Sequence, residues 1–198
     1  LGNFANIIIL LSRFIAGLDD GNNITFFNYS VVLLNVLLTA IILNLNTIVL
    51  RRLSIKKEIR LILFSVFTSL LLGLGLVVII NTYGFEIIQF ILQRGAFTLD
   101  DTIATVAYTK DLSISFVFIF IASSLFQPFF SMDHSLIKKE SVAMARILVF
   151  ATVILFIGFN LFSYSARENS LIMIYTLSIL SFLLSIFSSY KYFTTKTE

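Results

Sequence analysis

The sequence predicts an all-α polytopic membrane protein: a bundle of six transmembrane helices with one short interfacial helix. Three observations carry this expectation. Of the 198 residues, 58% are hydrophobic and 13% charged, whereas a water-facing domain carries about 25% charged residues. Six apolar runs, roughly 3–18, 24–50, 60–81, 112–131, 141–164 and 170–190, approach the ~20 residues that a helix needs to cross ~30 Å of hydrocarbon. They lack the period-2 alternation of membrane β-strands, which makes a barrel improbable. Basic residues also concentrate on alternate connections.

The first run begins almost at once, without the charged region or cleavage site of a signal peptide. The chain therefore reads as a fragment of a longer polytopic protein. Near the outer end of this run, Arg13 can snorkel to the interface or face an anionic ligand.

The second run is the most informative. Asn28, Asn35, Thr39 and Asn46 are separated by 7, 4 and 7 residues. At 100° per residue they fall within about 20° of one line, over ~27 Å of helix. Amides facing lipid are costly, so this stripe is expected to face a protein interior or a wet cavity. The alternative is hydrogen bonding to neighbouring helices only.

In the third run, Ser65, Ser69 and Gly73 recur every four residues, a spacing that lets another helix approach closely. The segment 85–93 is too short to span and carries a polar side, which suits a helix lying at the outer interface. Residues 99–111 extend the fourth run beyond the lipid, with Lys110 and Asp111 at the point of entry. Pro128 is positioned to bend the end of that run. Arg146, a turn or two into the fifth run, reaches back toward headgroups.

The connections fix an orientation. Arg51, Arg52, Lys56, Lys57, Arg60, Lys138, Lys139, Lys191 and Lys196 lie on one side. The opposite connections hold Asp19, Asp20, Arg94, Asp100, Asp101, Arg167 and Glu168, with only Arg94 and Arg167 basic. The basic side is expected to be cytoplasmic, with the first span running outward and both ends of the sequence cytoplasmic.

Composition excludes several classes. With no Cys and a single His134, disulfide frameworks, thiolate metal sites and Cys nucleophiles are absent and a metal centre is not expected. No cofactor is implied. There is no phosphate loop, carboxylate pair or Ser-His-Asp arrangement to argue for an enzyme. The net charge of +3 lies between apolar runs, where topology accounts for it better than nucleic acid does.

The loop Gln93-Arg94-Gly95-Ala96-Phe97-Thr98-Leu99-Asp100-Asp101-Thr102 resembles the Arg-Gly-x-Phe-Thr-x-x-Asp-Thr signature of the MurJ (MviN) family of lipid II flippases. That family lies within the multidrug, oligosaccharidyl-lipid and polysaccharide exporter superfamily. Phe27-Asn28-Tyr29-Ser30 through Leu50-Arg51-Arg52-Leu53-Ser54 is similar to the family's eighth span and its closing Pro-Arg-Leu-Ser, with Arg51 in place of Pro. Ser12-Arg13-Phe14-Ile15-Ala16 resembles the end of the seventh span, and Met132-Asp133 takes the place of a Gly-Asp after the tenth.

The resemblance covers nearly the whole chain and implies spans seven to twelve, the C-terminal six-helix lobe of a two-lobe flippase. An N-terminal lobe of the same protein would be missing. It further implies a bacterial cytoplasmic membrane and alternating access for a polyprenyl-diphosphate-linked cell-wall precursor, with membrane lipids as surroundings. Asn28, Asn35, Thr39 and Asn46 would offer hydrogen bonds to sugar, and Arg13 positive charge at the outer mouth. Arg94, Gly95, Phe97, Thr98, Asp101 and Thr102 carry the family motif. The family's cavity Arg on the eighth span is matched by Val32, about 40° from the stripe's centre, and Phe126 stands near where many members have a basic residue. Other readings are a flippase for another polysaccharide lipid, an antiporter of the same superfamily, or a non-transporting membrane scaffold.

Overall fold

The computed structural model describes residues 4–18, 21–55, 59–130, 134–162 and 164–194. Asp19, Asp20, Lys56, Lys57, Met132, Asp133 and Lys196, on which parts of the charge count and of the resemblance rest, lie outside these residues, as do the side chains of His134 and Lys138.

The chain is an all-α membrane protein. Its helices are α1 (Phe4–Ala16), α2 (Asn23–Leu37), α3 (Leu43–Ile55), α4 (Ile59–Leu92), α5 (Leu99–Leu125), α6 (Gln127–Phe130), α7 (His134–Leu161) and α8 (Ala166–Thr194). A π-helical turn, Leu38–Ile42, joins α2 to α3 as one rod. Among the described residues five helices are long and apolar enough to cross a membrane: Asn23–Leu53, Ile59–Leu92, Leu99–Leu125, Lys139–Leu161 and Ala166–Lys191. The expected sixth, α1, has 13 described helical residues, about 20 Å of rise, short of a crossing.

Hydropathy and burial run opposite to a soluble bundle. The most apolar stretch of α7 has mean hydropathy 2.4 and is 6% buried, whereas that of α5 has 1.4 and is 61% buried. Lipid gives apolar residues no reason to leave the periphery, so close approach and hydroxyl hydrogen bonds select the centre instead. Accordingly α5 is the axis, and Thr102, Thr105, Thr109, Ser113, Ser115, Ser123 and Ser124 are buried beside Phe116 and Phe120. Helix α4 runs antiparallel to it, meeting it through Ser69–Ser124 and Gly73–Val117. Helices α2–α3 and α8 run parallel to it, through Ser30–Thr109 and Asn46–Ser124 on one side and Asp111–Arg167 and Leu125–Ser189 on the other. Helix α1 packs on α8 and α2, and α7 on α8.

The Ser65-Ser69-Gly73 spacing does form a packing face. All three are buried, on the same side as Ile62, Leu76, Ile80, Gly84 and Ile88. At Gly73 an added Cβ would stand 3.2 Å from both Val117 methyls, so any side chain there requires Val117 to give by a few tenths of an ångström.

Two expectations are corrected. No separate interfacial helix forms over 85–93, because α4 continues unbroken from Ile59 to Leu92. The Asn81-Thr82-Tyr83-Gly84 stretch holds no proline, and the side chains of Asn81 and Thr82 donate to the carbonyls of Val77 and Val78 rather than capping a new helix. Gly84 and Ile88 then bury against the rest of the bundle. The polar side, Glu86 and Gln89, is the exposed side of the same helix. The fourth run, in turn, is not one continuous helix: α5 ends at Leu125, with Phe126 as C-cap before α6, which holds Pro128. Proline has no N–H to continue the ladder. Orphan carbonyls are taken by side chains: Gln127 Nε2 donates to Ser123 at 2.9 Å and Ser189 Oγ to Leu125 at 2.6 Å.

Candidate functional site

The turn between α4 and α5 accounts for most of the Arg94–Thr102 pattern by local geometry. Gly95 has φ +61, a left-handed conformation that costs other residues roughly 1–2 kcal/mol. Phe97 then packs edge-on against Tyr29 of α2, ring centroids 5.4 Å apart. Thr98 caps α5 in a capping box: its N–H donates to Asp101 Oδ2 at 2.8 Å, and Asp101 N–H returns a bond to Thr98 Oγ1 at 3.3 Å. Thr102, fully buried, donates its hydroxyl to the Thr98 carbonyl at 3.1 Å. These five residues build the turn and dock it. Arg94 differs, because it is exposed and its guanidinium approaches the Phe90 carbonyl only at 3.5 Å, the outer limit of such a bond.

Arg94 and Asp101 border a cleft of about 370 Å³ shared with Asn22, Thr25 and Tyr29 at the start of α2. From this cleft an exposed face runs down α2. Thr25, Tyr29, Val32 and Val36 lie along it, with Asn28 and Asn35 half-buried at its edge. The Oδ1 of Asn35 is enclosed and accepts no hydrogen bond. Thr39 is exposed, its hydroxyl donating to the Asn35 carbonyl at 2.8 Å.

The expected stripe does not reach Asn46. A straight helix aligns Asn46 with Asn28, but the π-helical turn widens the backbone and delays the later residues by roughly one position, about 100°. Asn46 thereby turns inward, 2% exposed. Its Oδ1 accepts Ser65 Oγ at 3.1 Å and Ser124 Oγ at 3.0 Å, and Ser124 meets Ser69 at 2.6 Å. It belongs to an interhelical seam between α3, α4 and α5. The same rotation brings out Asn44 and Thr47, which lie about 200° and 100° from Asn46 on a straight helix. Both are exposed, donating to the carbonyls of Ala40 at 2.8 Å and Leu43 at 2.9 Å. Nothing in residue types alone announces a π turn, so this half of the face is invisible to spacing arguments. Val32 is 63% exposed on this face.

Arg13 is exposed in the last turn of α1, on the same side as Asn6 seven residues earlier. Near the Arg94 end, a polar chain that sequence reading missed ties three helices. Arg167 of α8 pairs with Asp111 at 2.7 Å and stacks over Tyr108, 4.8 Å from its centroid. Tyr108 OH donates to Asn23 Oδ1 at 3.2 Å, and Tyr175 OH to the Asp111 carbonyl at 2.5 Å. Lys110 and Asp111, adjacent in sequence, sit on different faces, and the partner of Asp111 lies 56 residues away, beyond the reach of spacing rules. Among the described residues no three His, Cys, Asp or Glu side chains gather as a metal would require.

No protein-family model, curated protein or solved structure matches this chain. The site therefore has to be read from its own chemistry. At mid-depth the exposed residues of α4 are Leu63, Phe64, Phe67, Leu71, Leu74 and Val78, and those of α7 are Ile147, Val149, Phe150, Val153, Ile154 and Ile157. The rod Asn23–Ile55 is different, with Thr39, Asn44 and Thr47 outward at its middle. The hydroxyl protons of Thr39 and Thr47 are spent on their own helix, so these two present acceptor oxygen outward, while Asn44 has its Oδ1 and its second amide N–H left to present. Arginines stand at both ends of the face, Arg94 at one and Arg51 and Arg52 at the other.

Proposed function

We propose that the chain is one lobe of a flippase for a lipid-linked oligosaccharide, working with a second lobe across the exposed face of α2–α3. The observation that carries this reading is the contrast of exposed faces. Outward-facing side chains of α4, α7 and α8 are largely hydrocarbon through mid-depth, with Thr68 and Thr176 the hydroxyls among them, whereas the α2–α3 rod turns Thr39, Asn44 and Thr47 outward within nine residues. Hydroxyls and amides in contact with acyl chains are unfavourable by kilocalories, so this face calls for a polar neighbour: a wet cavity or a second lobe. Acceptor oxygens along the wall suit the donor hydroxyls of a sugar, and Arg94 at one mouth suits a diphosphate. A charged sugar headgroup cannot cross hydrocarbon unaided. Two lobes rocking about such a cavity would move it while the polyprenyl tail stays in lipid.

In this reading the membrane is the bacterial cytoplasmic one, and the end bearing Arg51, Arg52 and Arg60 is cytoplasmic, by the excess of basic residues there. The resemblance of the 93–102 loop to lipid II flippases supports a cell-wall precursor as cargo. Val32, in the place of the family's cavity Arg, leaves the second lobe to supply most of the anion binding. The test is Asn35→Leu combined with Thr39→Val and Asn44→Leu, in the complete reading frame reconstituted in proteoliposomes with a fluorescent polyprenyl-diphosphate oligosaccharide. Flipping is expected to fall to background with membrane insertion intact. Unchanged flipping would refute the cavity and leave the face to helix association, as in a scaffold.

A further inference from the structure

We propose that the cleft between the 93–98 turn and the start of α2 binds a glycosyl phosphate, with the phosphate on Arg94 and the sugar ring against Tyr29, its hydroxyls meeting Asp101, Asn22 and Thr25. This deepens the transport reading and rests on it for the source of the ligand, a headgroup held at the Arg94 end of the α2–α3 face.

The cleft, of about 370 Å³, falls in the ~300–1,000 Å³ range of small-molecule sites. Unspent polar chemistry sets it apart. A cleft of about 430 Å³ where α1 and α7 end and α8 begins is lined by Asn160, Ser165 and Asn169. Their donors are already given to the Phe156 carbonyl at 2.7 Å, to Glu168 Oε2 at 2.9 Å and to the Tyr164 carbonyl at 3.3 Å. Beside Arg94, by contrast, the Asn22 amide and the Thr25 hydroxyl are exposed and make no hydrogen bond among the described residues.

Arg94 and Asp101 both line the cleft without pairing to each other: the ion pairs among the described residues are Asp111–Arg167 and Glu140–Lys191. The Arg94 guanidinium has only its 3.5 Å approach to the Phe90 carbonyl, which leaves its planar fork for a phosphate. Asp101 takes both Thr98 bonds on Oδ2, so its Oδ1 is left to accept. A carboxylate repels a bare anion but accepts from hydroxyls. Together the two side chains suit a ligand that is anionic at one end and hydroxylated at the other. Tyr29, exposed beside Phe97 with ring centroids 5.4 Å apart, adds an apolar platform, against which the C–H face of a pyranose packs. A phosphate joined to a pyranose has all three features: an anion, a rim of hydroxyls and an apolar face.

Isothermal titration of the full chain in detergent with glucose 1-phosphate, and separately with glucose and with inorganic phosphate, tests this. Glucose 1-phosphate is expected to bind more tightly than either of the others. Arg94→Gln is expected to weaken it about tenfold, and Asn22→Ala combined with Thr25→Val about fivefold, the latter leaving inorganic phosphate as before. Asp101→Asn, whose amide oxygen still accepts from Thr98, is expected to strengthen inorganic phosphate and weaken glucose 1-phosphate, an inversion that a capping role alone does not produce. Polyprenyl-phosphoglucose in nanodiscs, run as competitor, separates the sources: tighter retention assigns the site to a lipid-linked headgroup, and equal retention assigns it to a free glycosyl phosphate and removes the link to transport. Equal affinity for inorganic phosphate and glucose 1-phosphate overturns the proposal, as does undiminished glucose 1-phosphate binding in Arg94→Gln. A chain that binds glucose 1-phosphate through Arg94 yet flips nothing refutes the transport reading alone, whereas one that flips without binding it refutes this site alone.

Discussion

Asn46 Oδ1 accepts the hydroxyl of Ser124 at 3.0 Å, closing α3 onto the central helix at a point where neither side chain has access to solvent. Asn46 is therefore a packing residue, and its replacement acts on stability. Asn46→Leu removes the acceptor of Ser65 and leaves Ser124 only its bond with Ser69, at an expected cost of about 1–3 kcal/mol. Asn46→Ala costs a similar amount through the same two lost bonds. Thermal unfolding in detergent micelles measures both. A stability equal to the parent in Asn46→Ala would show that the seam is looser than the geometry implies.

The π turn makes a second prediction. If Leu38–Ile42 accommodates one residue more than an α-helix needs, deleting Ala40 returns the rod to regular geometry and leaves both flanking faces in register. The deletion is expected to keep the Asn46–Ser124 bond and most of the stability. Removing Leu34 instead, a fully buried residue within α2, rotates the preceding turns by about 100° against α5 and should be far more damaging. A comparison of unfolding temperatures decides; equal damage from the two deletions sinks the idea.

At Gly73 the clearance is set by Val117. Gly73→Ala places a methyl 3.2 Å from both Val117 side-chain carbons and 3.3 Å from its Cα. The expected loss is about 1–3 kcal/mol, as for other overpacked sites. Val117→Ala opens the same space and costs its own cavity, but the double variant should recover part of the Gly73→Ala loss. A double-mutant cycle on unfolding free energy gives the coupling, and strict additivity would contradict the close approach.

Gly95 is conformational rather than steric, since no atom lies within 4 Å of an added Cβ there but φ is +61. Gly95→Ala is expected to cost about 1–2 kcal/mol from the left-handed backbone, and Gly95→Asn distinctly less. Hydrogen exchange over residues 93–102 should report the loss locally, faster at the capped Asp101 and Thr102 amides. A uniform change across the bundle would instead point to a global role for this turn.

Much of the architecture was legible because lipid imposes a simple requirement: long apolar runs must become helices, since no other local structure satisfies their backbone. Most of the runs and the small-residue face of α4 follow from length and spacing, although α1 is short of a crossing and α5 ends at Leu125 with 99–111 as part of its candidate span. The capping box and positive-φ glycine of the 93–102 loop are local chemistry carried by Thr98, Asp101 and Gly95. The junction at Asn81–Gly84 was not legible, because its hydroxyls and amides read as an end of span until Gly84 and Ile88 find partners on the neighbouring helices. The outward half of the α2–α3 face escaped for a different reason. Spacing arguments assume one constant twist, and a single widened turn moves every later residue to another side.

By itself, the sequence determined the apolar surroundings, the helical class and most of the helical segments, because these depend on residues within a few turns of one another. The tertiary structure alone decided which polar residues look inward and which outward. Asn46 was drawn into the seam by Ser65 and Ser124, and Asp111 was matched to Arg167. Such pairings join residues far apart in the chain, and their energies exist only after the helices have packed.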